Sequence, residues 1–325
     1  MTAQINTVPA REAETPLNPS DAECIHAAAE LLVTHLQTGT ALTAEIMRNA
    51  MEDAFGASDT EGAWIWKDAY EAAEVAQIMI LDRFGAAMRR QAKSSGQFIA
   101  MISKLAALIP TQTRRSEDMV ALQQFSTPLP LATIAALAAG IKENDLVLEP
   151  SAGTGILASF AKSAGARLVL NELSGLRREL LELLFPDARV FAHDASSIDD
   201  RLDRSITPSV VLMNPPFSVS AHVDGKYKIA TAKHVLSALS RLAPGGRLVA
   251  ITGTNFNPGT SSFLSSFEQI FDQAELHLSV PLSGKLFAKH GTHVETRLTV
   301  LDKYPEGYAG AVSYTHLTLP TKRIV

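Results

Sequence analysis

The sequence contains one cysteine, Cys24, in 325 residues. A single thiol excludes a disulfide framework and any cysteine-built metal cluster. Long apolar runs are missing too. The longest candidate, from Leu131 to Ile141, falls short of the roughly 18 to 20 residues that span a bilayer. The opening MTAQINTVPAREAE lacks a basic stretch followed by an apolar one, so no secretory signal is read there. The expected setting is therefore cytoplasmic. An excess of positive charge is also absent, the formal net charge being −5. That excludes a protein basic all over, while leaving room for a local basic face that meets nucleic acid.

The composition is that of a globular protein, 46% hydrophobic and 19% charged, which is too apolar for a disordered chain. The length is about twice a typical domain of roughly 150 residues. Residues 1–18 are polar and without periodicity, and read as a flexible leader. Residues 19–122 read as helical. Ser20 and Glu23 form a capping-box pattern and Gly39 closes the segment. Within it Cys24, Ala28, Leu31, Leu32 and His35 fall on one stripe, and Leu42, Ile46, Met47 and Ala50 repeat the spacing. Further periodic stretches run from Trp64 to Met88 and from Gln97 to Ile109. A helical cap or bundle is expected. The basic clusters Arg89, Arg90, Lys93 and Arg114, Arg115 suit solvated helix ends better than nucleic-acid contacts.

From residue 123 the texture changes. Leu146–Leu148, Arg167–Leu170, Ala188–Phe191, Val210–Met213 and Arg247–Thr252 are strand candidates. Helical stretches begin between them near Gly155, Ser174, Ile229 and Ser262. Such alternation predicts an α/β fold with a parallel sheet and right-handed crossovers. Two later strands, His277–Val280 and Val294–Leu301, have no long helix between them and predict a terminal antiparallel hairpin.

Four places along this pattern carry chemistry. The first is LVLEPSAGTGILA, Leu146 to Ala158, where a strand ends at Glu149 and a turn with Gly153 and Gly155 opens a helix. The helix start offers free N–H groups, and the glycines admit a ligand close to the backbone. The spacing is neither that of a dinucleotide loop nor that of a phosphate loop with its Lys. An acid followed by small-small-Gly-x-Gly suits a cationic amino-acid cofactor, Glu149 opposing its ammonium group. The same pattern also makes a plain tight β–α turn. The second place is Glu172 at the end of the next strand, about 20 residues on, where one carboxylate can accept from two ribose hydroxyls. The third is Asp194, at the same sheet edge, which can accept from an adenine amino group. The fourth is Asn214-Pro215-Pro216-Phe217 directly after an apolar strand. Two prolines cannot donate to a ladder and hold the chain extended. Asn214 and the Pro215 carbonyl can then accept from a planar substrate's NH₂ group while Phe217 stacks on its ring.

Taken together, these residues resemble the S-adenosylmethionine-dependent N6-adenine DNA methyltransferases, over about residues 123–303. EPSAGTG is similar to that family's cofactor loop, with Glu149 where many members have Asp. Glu172 and Asp194 match its ribose and adenine acids, and NPPF its catalytic motif. QQFSTPLPLA, Gln123 to Ala132, resembles the motif that closes over the methionine moiety. PGGRLVAI, Pro244 to Ile251, resembles a structural turn of the family.

The resemblance implies a Rossmann-like class I methyltransferase fold, a mostly parallel seven-stranded sheet ending in an antiparallel hairpin, over residues 123–305. It implies S-adenosylmethionine as cofactor, held by Phe125, Thr127, Pro128, Glu149, Ser151, Ala152, Gly153, Gly155, Glu172, Asp194 and Asn214. Catalysis falls to Asn214, Pro215, Pro216 and Phe217, by direct in-line attack of the amine nitrogen. The implied partner is DNA, with the adenine flipped out of the stack and Lys226, Lys228, Lys233 and His234 near phosphates. No metal is implied: Lys285, Lys289, His290, His293 and Glu295 form a second cluster without metal-ligand spacing. Motifs of this kind also serve methylation of RNA bases and of protein glutamine amides. A targeting module that binds donor and DNA without turnover is a further alternative.

More narrowly, QQFSTP, LEPSAGTG, NELSGLRRELL and NPPFS resemble the methylase region of large bacterial mobile-element proteins, where it precedes a strawberry-notch-like helicase. The chain is then expected to be the front of a longer polypeptide. Residues 306–325 read as a non-native or disordered tail. VSYTHLTLPTKRIV, from Val312, resembles translated adapter read-through at the end of a gene fragment.

Overall fold

The computed structural model describes residues 19–112, 126–216 and 228–308. The described part opens with α1 (Asp21–Gln37), α2 (Ala44–Phe55), α3 (Trp66–Gln91) and α4 (Ser95–Ala107). α1 starts where its capping box predicts. The Ser20 hydroxyl accepts from the Glu23 N–H, and the Glu23 carboxylate accepts from the Ser20 N–H. Two N–H groups that the helix cannot satisfy itself are thereby bonded. Gly39, at φ +75°, then turns the chain out of the helix.

After α5 (Leu129–Ala139), strands and helices alternate. They are β1 (Leu146–Glu149), α6 (Ile156–Ser163), β2 (Arg167–Asn171), α7 (Gly175–Leu184), β3 (Arg189–Phe191), α8 (Ile198–Arg201) and β4 (Val210–Met213). There follow α9 (Lys228–Arg241), β5 (Arg247–Gly253), α10 (Leu264–Phe271), β6 (Ala274–Leu282) and β7 (Thr296–Lys303). The strands form one seven-stranded sheet in the order β3-β2-β1-β4-β5-β7-β6. β1 to β5 are parallel, and β7 runs antiparallel to both β5 and β6. This is the Rossmann-like class I methyltransferase arrangement expected from the sequence. The strand order reverses beside β1, between β2 and β4. In open α/β sheets the crevice outside the carboxyl ends of strands at that point takes the ligand.

The late strands differ from their predicted bounds. β6 begins at Ala274 rather than His277, because it is an edge strand with half-exposed residues and lacks a continuous apolar run. β7 begins at Thr296 rather than Val294, and its Thr296 and Thr299 are fully buried.

Alternate residues of each strand face opposite cores. Val147, Leu168, Leu170, Val210, Leu212, Val249 and Ile251 face the side covered by α5 and α6. Leu148, Val169, Val211, Met213, Leu248 and Ala250 face α9 and α10. The N-terminal helices add a further layer to the first side and share its core. α1 packs on α3 and α7, α3 on α6, and α4 on α5. α6 is buried at every position from Ile156 to Ala161, and α3 at every position from Ala69 to Leu81. A helix without a solvent face lies between two layers. In α3 that all-round burial includes Glu71, Glu74 and Gln77.

The boundary predicted near residue 122 lies outside the described residues, as do the leader and the chain from residue 309. Residues 306–308, which the sequence assigns to the tail, are described, and Tyr308 stacks on Tyr304 with ring centres 4.5 Å apart. Among the described residues no helix is long and apolar enough to cross a membrane.

Candidate active site

A cavity of about 340 Å³ opens at the reversal of strand order. Its walls come from the ends of β1, β2, β3 and β4 and from the residues just before α5. Ser126, Thr127, Glu149, Ser151, Ala152, Gly153, Glu172, Asp194, Asn214, Pro215 and Pro216 all reach it. Phe125, Phe217 and Lys226 lie outside the described residues, as does the side chain of Lys228. Lys233 is exposed on α9. Pro128 caps α5 and lines a neighbouring cavity of about 250 Å³ rather than this one.

The turn after β1 is shaped by its two glycines for different reasons. Gly153 has φ +57° with open space where a side chain would stand, and its N–H donates to Glu172 Oε2 at 2.8 Å. Gly155 has φ +94°, and a Cβ there would lie 2.5 Å from Phe185 Cε2 and 2.9 Å from Leu181 Cδ2. The sequence predicts room for a ligand at both glycines, and Gly153 has it. At Gly155 the space is taken instead by the packing of α6 against the end of α7.

Glu149 is 2% exposed. Burial pushes its carboxyl well above the ordinary carboxylate range, against an N–H donated by Ala158 in the first turn of α6; the nearby Glu172 charge pushes the same way. Among the described residues its Oε2 has no hydrogen-bond partner. An orphaned carboxylate oxygen in a cavity wall is suited to a cationic donor that the cavity itself does not supply. Glu172 is braced on both oxygens, by Gly153 N–H and by Ser174 N–H at 2.9 Å. Each oxygen keeps a further lone pair for a hydroxyl. Asp194 is exposed and accepts from Ser196 N–H at 2.8 Å, a bond that lowers its pKa.

Asn214 leaves β4 with its amide Nδ2 donating to Thr127 Oγ1 at 2.9 Å. The residue predicted to hold a substrate amine is thus oriented by the segment before α5. His234, grouped in the sequence reading with phosphate-binding lysines, lies in the cavity wall instead. Burial lowers its pKa, partly offset by Asp194, and its Nδ1 has no partner. Its half-buried ring lines the cavity, whereas the neighbouring Lys233 is exposed to solvent.

Several wall residues carried no sequence signal. Asn171 is 1% exposed. Its Nδ2 donates to the carbonyls of Pro150 and His193, and its Oδ1 accepts from His193 N–H. It thereby ties the ends of β1, β2 and β3 together. Arg177, on α7, is 5% exposed and donates from Nε to Glu71 Oε1 at 2.8 Å. Burial opposes its charge, but Glu71, Glu74 and Glu172 outweigh that and raise its pKa. An i, i+3 search within α7 has no means of finding partners on a helix about a hundred residues earlier.

The second basic cluster is structural in part. Lys289 Nζ donates to the carbonyls of Ala106, Ala107 and Ile109, closing the end of α4. Burial pushes His290 down to about 4. Among the described residues no group of three His, Cys, Asp or Glu side chains is placed to hold a metal ion.

No family model matches the chain. Among solved structures it is similar to TrmN from Thermus thermophilus, at 21% identity and TM-score 0.42, over 57% of this chain and 52% of that one. It is similar to a candidate RNA methyltransferase from Pyrococcus horikoshii at 17% identity and TM-score 0.47, over 63% of this chain and 98% of that one. It is also similar to the modification subunit of a candidate type I restriction enzyme from Vibrio vulnificus, at 18% identity and TM-score 0.46, over 66% and 51%. The match spans about half the length of TrmN and of the modification subunit. The fold assignment rests on the sheet order and register.

Proposed function

We propose that the chain is a methyltransferase that moves a methyl group from S-adenosylmethionine to the exocyclic N6 of adenine in DNA. One observation carries the reading. A buried carboxylate with an orphaned oxygen, Glu149, and the Asn214-Pro215-Pro216 turn share one cavity at the reversal of strand order. The donor set fits the cofactor. Glu149 would hold its ammonium group, Glu172 its ribose hydroxyls and Asp194 its adenine amine, while Thr127 and the turn from Ser151 to Gly153 would hold the remainder. When bound, S-adenosylmethionine supplies an electrophilic methyl group on a sulfonium.

The protein's own contribution is positioning and acceptor dipoles. The Asn214 amide is oriented by Thr127. Its oxygen and the Pro215 carbonyl accept from the target NH₂, which aims the nitrogen lone pair along the transfer line. Phe217 stacks on the base, which must leave a duplex to reach the turn. Lys226, Lys228 and Lys233 meet the flanking phosphates. Phe217 as the fourth motif residue supports DNA adenine over RNA or a glutamine amide. The narrower kinship with methylase regions that precede strawberry-notch-like helicases rests on the motif sequences.

The test is methyl transfer from labelled donor onto a panel of duplex DNA, single-stranded DNA, RNA and protein, followed by identification of the modified group. N6-methyladenine in DNA is the expected product. Label confined to RNA or to glutamine refutes the substrate, and donor binding without transfer to any acceptor refutes the catalysis.

A further inference from the structure

The two glutamates buried in α3 differ in what accounts for them. Glu71 is 3% exposed and forms an ion pair with the buried Arg177 at 2.8 Å, with Lys67 at 3.8 Å. Glu74 is 4% exposed; its described hydrogen-bond partners are neutral side chains, and His290 Nδ1 stands 3.9 Å from its Oε1. Its Oε2 accepts from the Thr154 hydroxyl at 3.1 Å and its Oε1 from Gln112 Nε2 at 3.2 Å. The Ser126 side chain also hydrogen-bonds to it. Burial raises its pKa against these bonds and the more distant Arg177 charge.

The partners of Glu74 belong to the site. Thr154 stands between Gly153 and Gly155 in the turn after β1. Ser126 directly precedes Thr127, which accepts from the Asn214 amide. Gln112 donates its backbone N–H to the Lys289 carbonyl in the β6–β7 connection. One carboxyl group from the N-terminal layer therefore joins the donor turn, the asparagine's support and the late hairpin. Glu74 lines the cavity of about 250 Å³ beside Gln77, Ala106, Ile109 and Leu129, where an apolar side chain would cost less if packing were its only task.

We propose that Glu74 is a positioning residue of the methyl-donor site, holding the Gly153–Gly155 turn through Thr154 and Asn214 through Ser126 and Thr127. The inference rests on the methyltransferase reading above. It makes the N-terminal helices part of the catalytic apparatus rather than a cap beside it.

The test compares Glu74→Leu, Glu74→Gln and Thr154→Val in the full chain. Affinity for S-adenosylhomocysteine is read by calorimetry, and kcat and acceptor KM by methyl transfer. Leu keeps the volume and removes every hydrogen bond, while Gln is a near-isostere that can still hydrogen-bond. Loss of the bonds from Thr154 and Ser126, the two that reach the site, predicts roughly ten-fold weaker binding and a lower kcat for Glu74→Leu, with acceptor KM unchanged. Glu74→Gln is expected within about threefold of the parent. A merely structural role would lower the melting temperature and leave binding per folded molecule alone. If Glu74→Leu does not fold, Thr154→Val removes one of the same bonds from the turn side and is expected to weaken binding without it. Parental binding and turnover in Thr154→Val and in any folded Glu74→Leu overturn the inference. Failure of Glu74→Gln to retain binding overturns it as well. A parent that binds no S-adenosyl compound refutes the methyltransferase reading itself, whereas a parent that binds beside variants that bind equally refutes this inference alone.

Discussion

Gly155→Ala isolates the packing behind the donor turn. At φ +94° any side chain is strained, and the new methyl carbon would stand 2.5 Å from Phe185 Cε2 and 2.9 Å from Leu181 Cδ2. Phe185 is 2% exposed and Leu181 fully buried, so neither can swing into solvent. The left-handed backbone costs about 1–2 kcal/mol, and overpacking a filled core costs about 1–3 kcal/mol. The stiffer unfolded chain returns about 0.4–1 kcal/mol. The net loss is about 1–5 kcal/mol, read as a fall of roughly 2–7 °C in melting temperature for a chain of 325 residues. Gly153→Ala is the control. Its φ is +57° but nothing lies within 4 Å of the added carbon, so only the backbone cost applies, about 1 kcal/mol after the same return. Urea unfolding of both variants, with Phe185→Leu added to each, measures the difference and its source. The Phe185 change should recover part of the Gly155→Ala loss and none of the Gly153→Ala loss. Equal losses in the two alanine variants, or no coupling between positions 155 and 185, would refute the reasoning.

Further outcomes follow from the cavity. Asn214→Ala should lower transfer at least about a hundredfold while S-adenosylhomocysteine affinity, by calorimetry, stays within about threefold; equal loss of both would contradict its role toward the amine. Glu149 has a folded pKa raised above its unfolded value near 4.5. Its favourable share of stability is complete below that value and lost as pH rises through the folded pKa. Glu149→Gln should therefore unfold at higher urea than the parent above neutral pH, the gap closing toward acid. A cationic donor needs Glu149 ionised, so binding should release a proton and tighten with rising pH. Calorimetry in two buffers of different ionisation enthalpy reads that proton, and Glu149→Gln should abolish it.

The fold was legible where burial is two-sided. β1, β2, β4 and β5 are short apolar runs because both faces meet helices. Edge strand β6 was cut short in the reading because its side chains are half in water. The acids were legible because each stands at or within three residues of a strand's end, and Asn214 because two prolines mark its turn. Thr154, Asn171 and Arg177 were not, since their partners stand on other elements. Glu74 and Glu71 were hidden for the same reason. In a helix buried all round, polar residues look like a solvent face until the layer that covers them is known.

The place of β7 governs the order of events during synthesis. β7, the last strand of this sheet, fills the gap between β5 and β6, so neither has its final neighbour until Lys303 is out. The apolar faces of α3 wait on α6, whose residues follow several seconds later at about 5–20 residues per second. Before α6 is made, α3 is covered by α1 but not on its α6 side, and before β7 is made β5 and β6 stand apart; uncovered apolar surface and unpaired strand edges are where aggregates start.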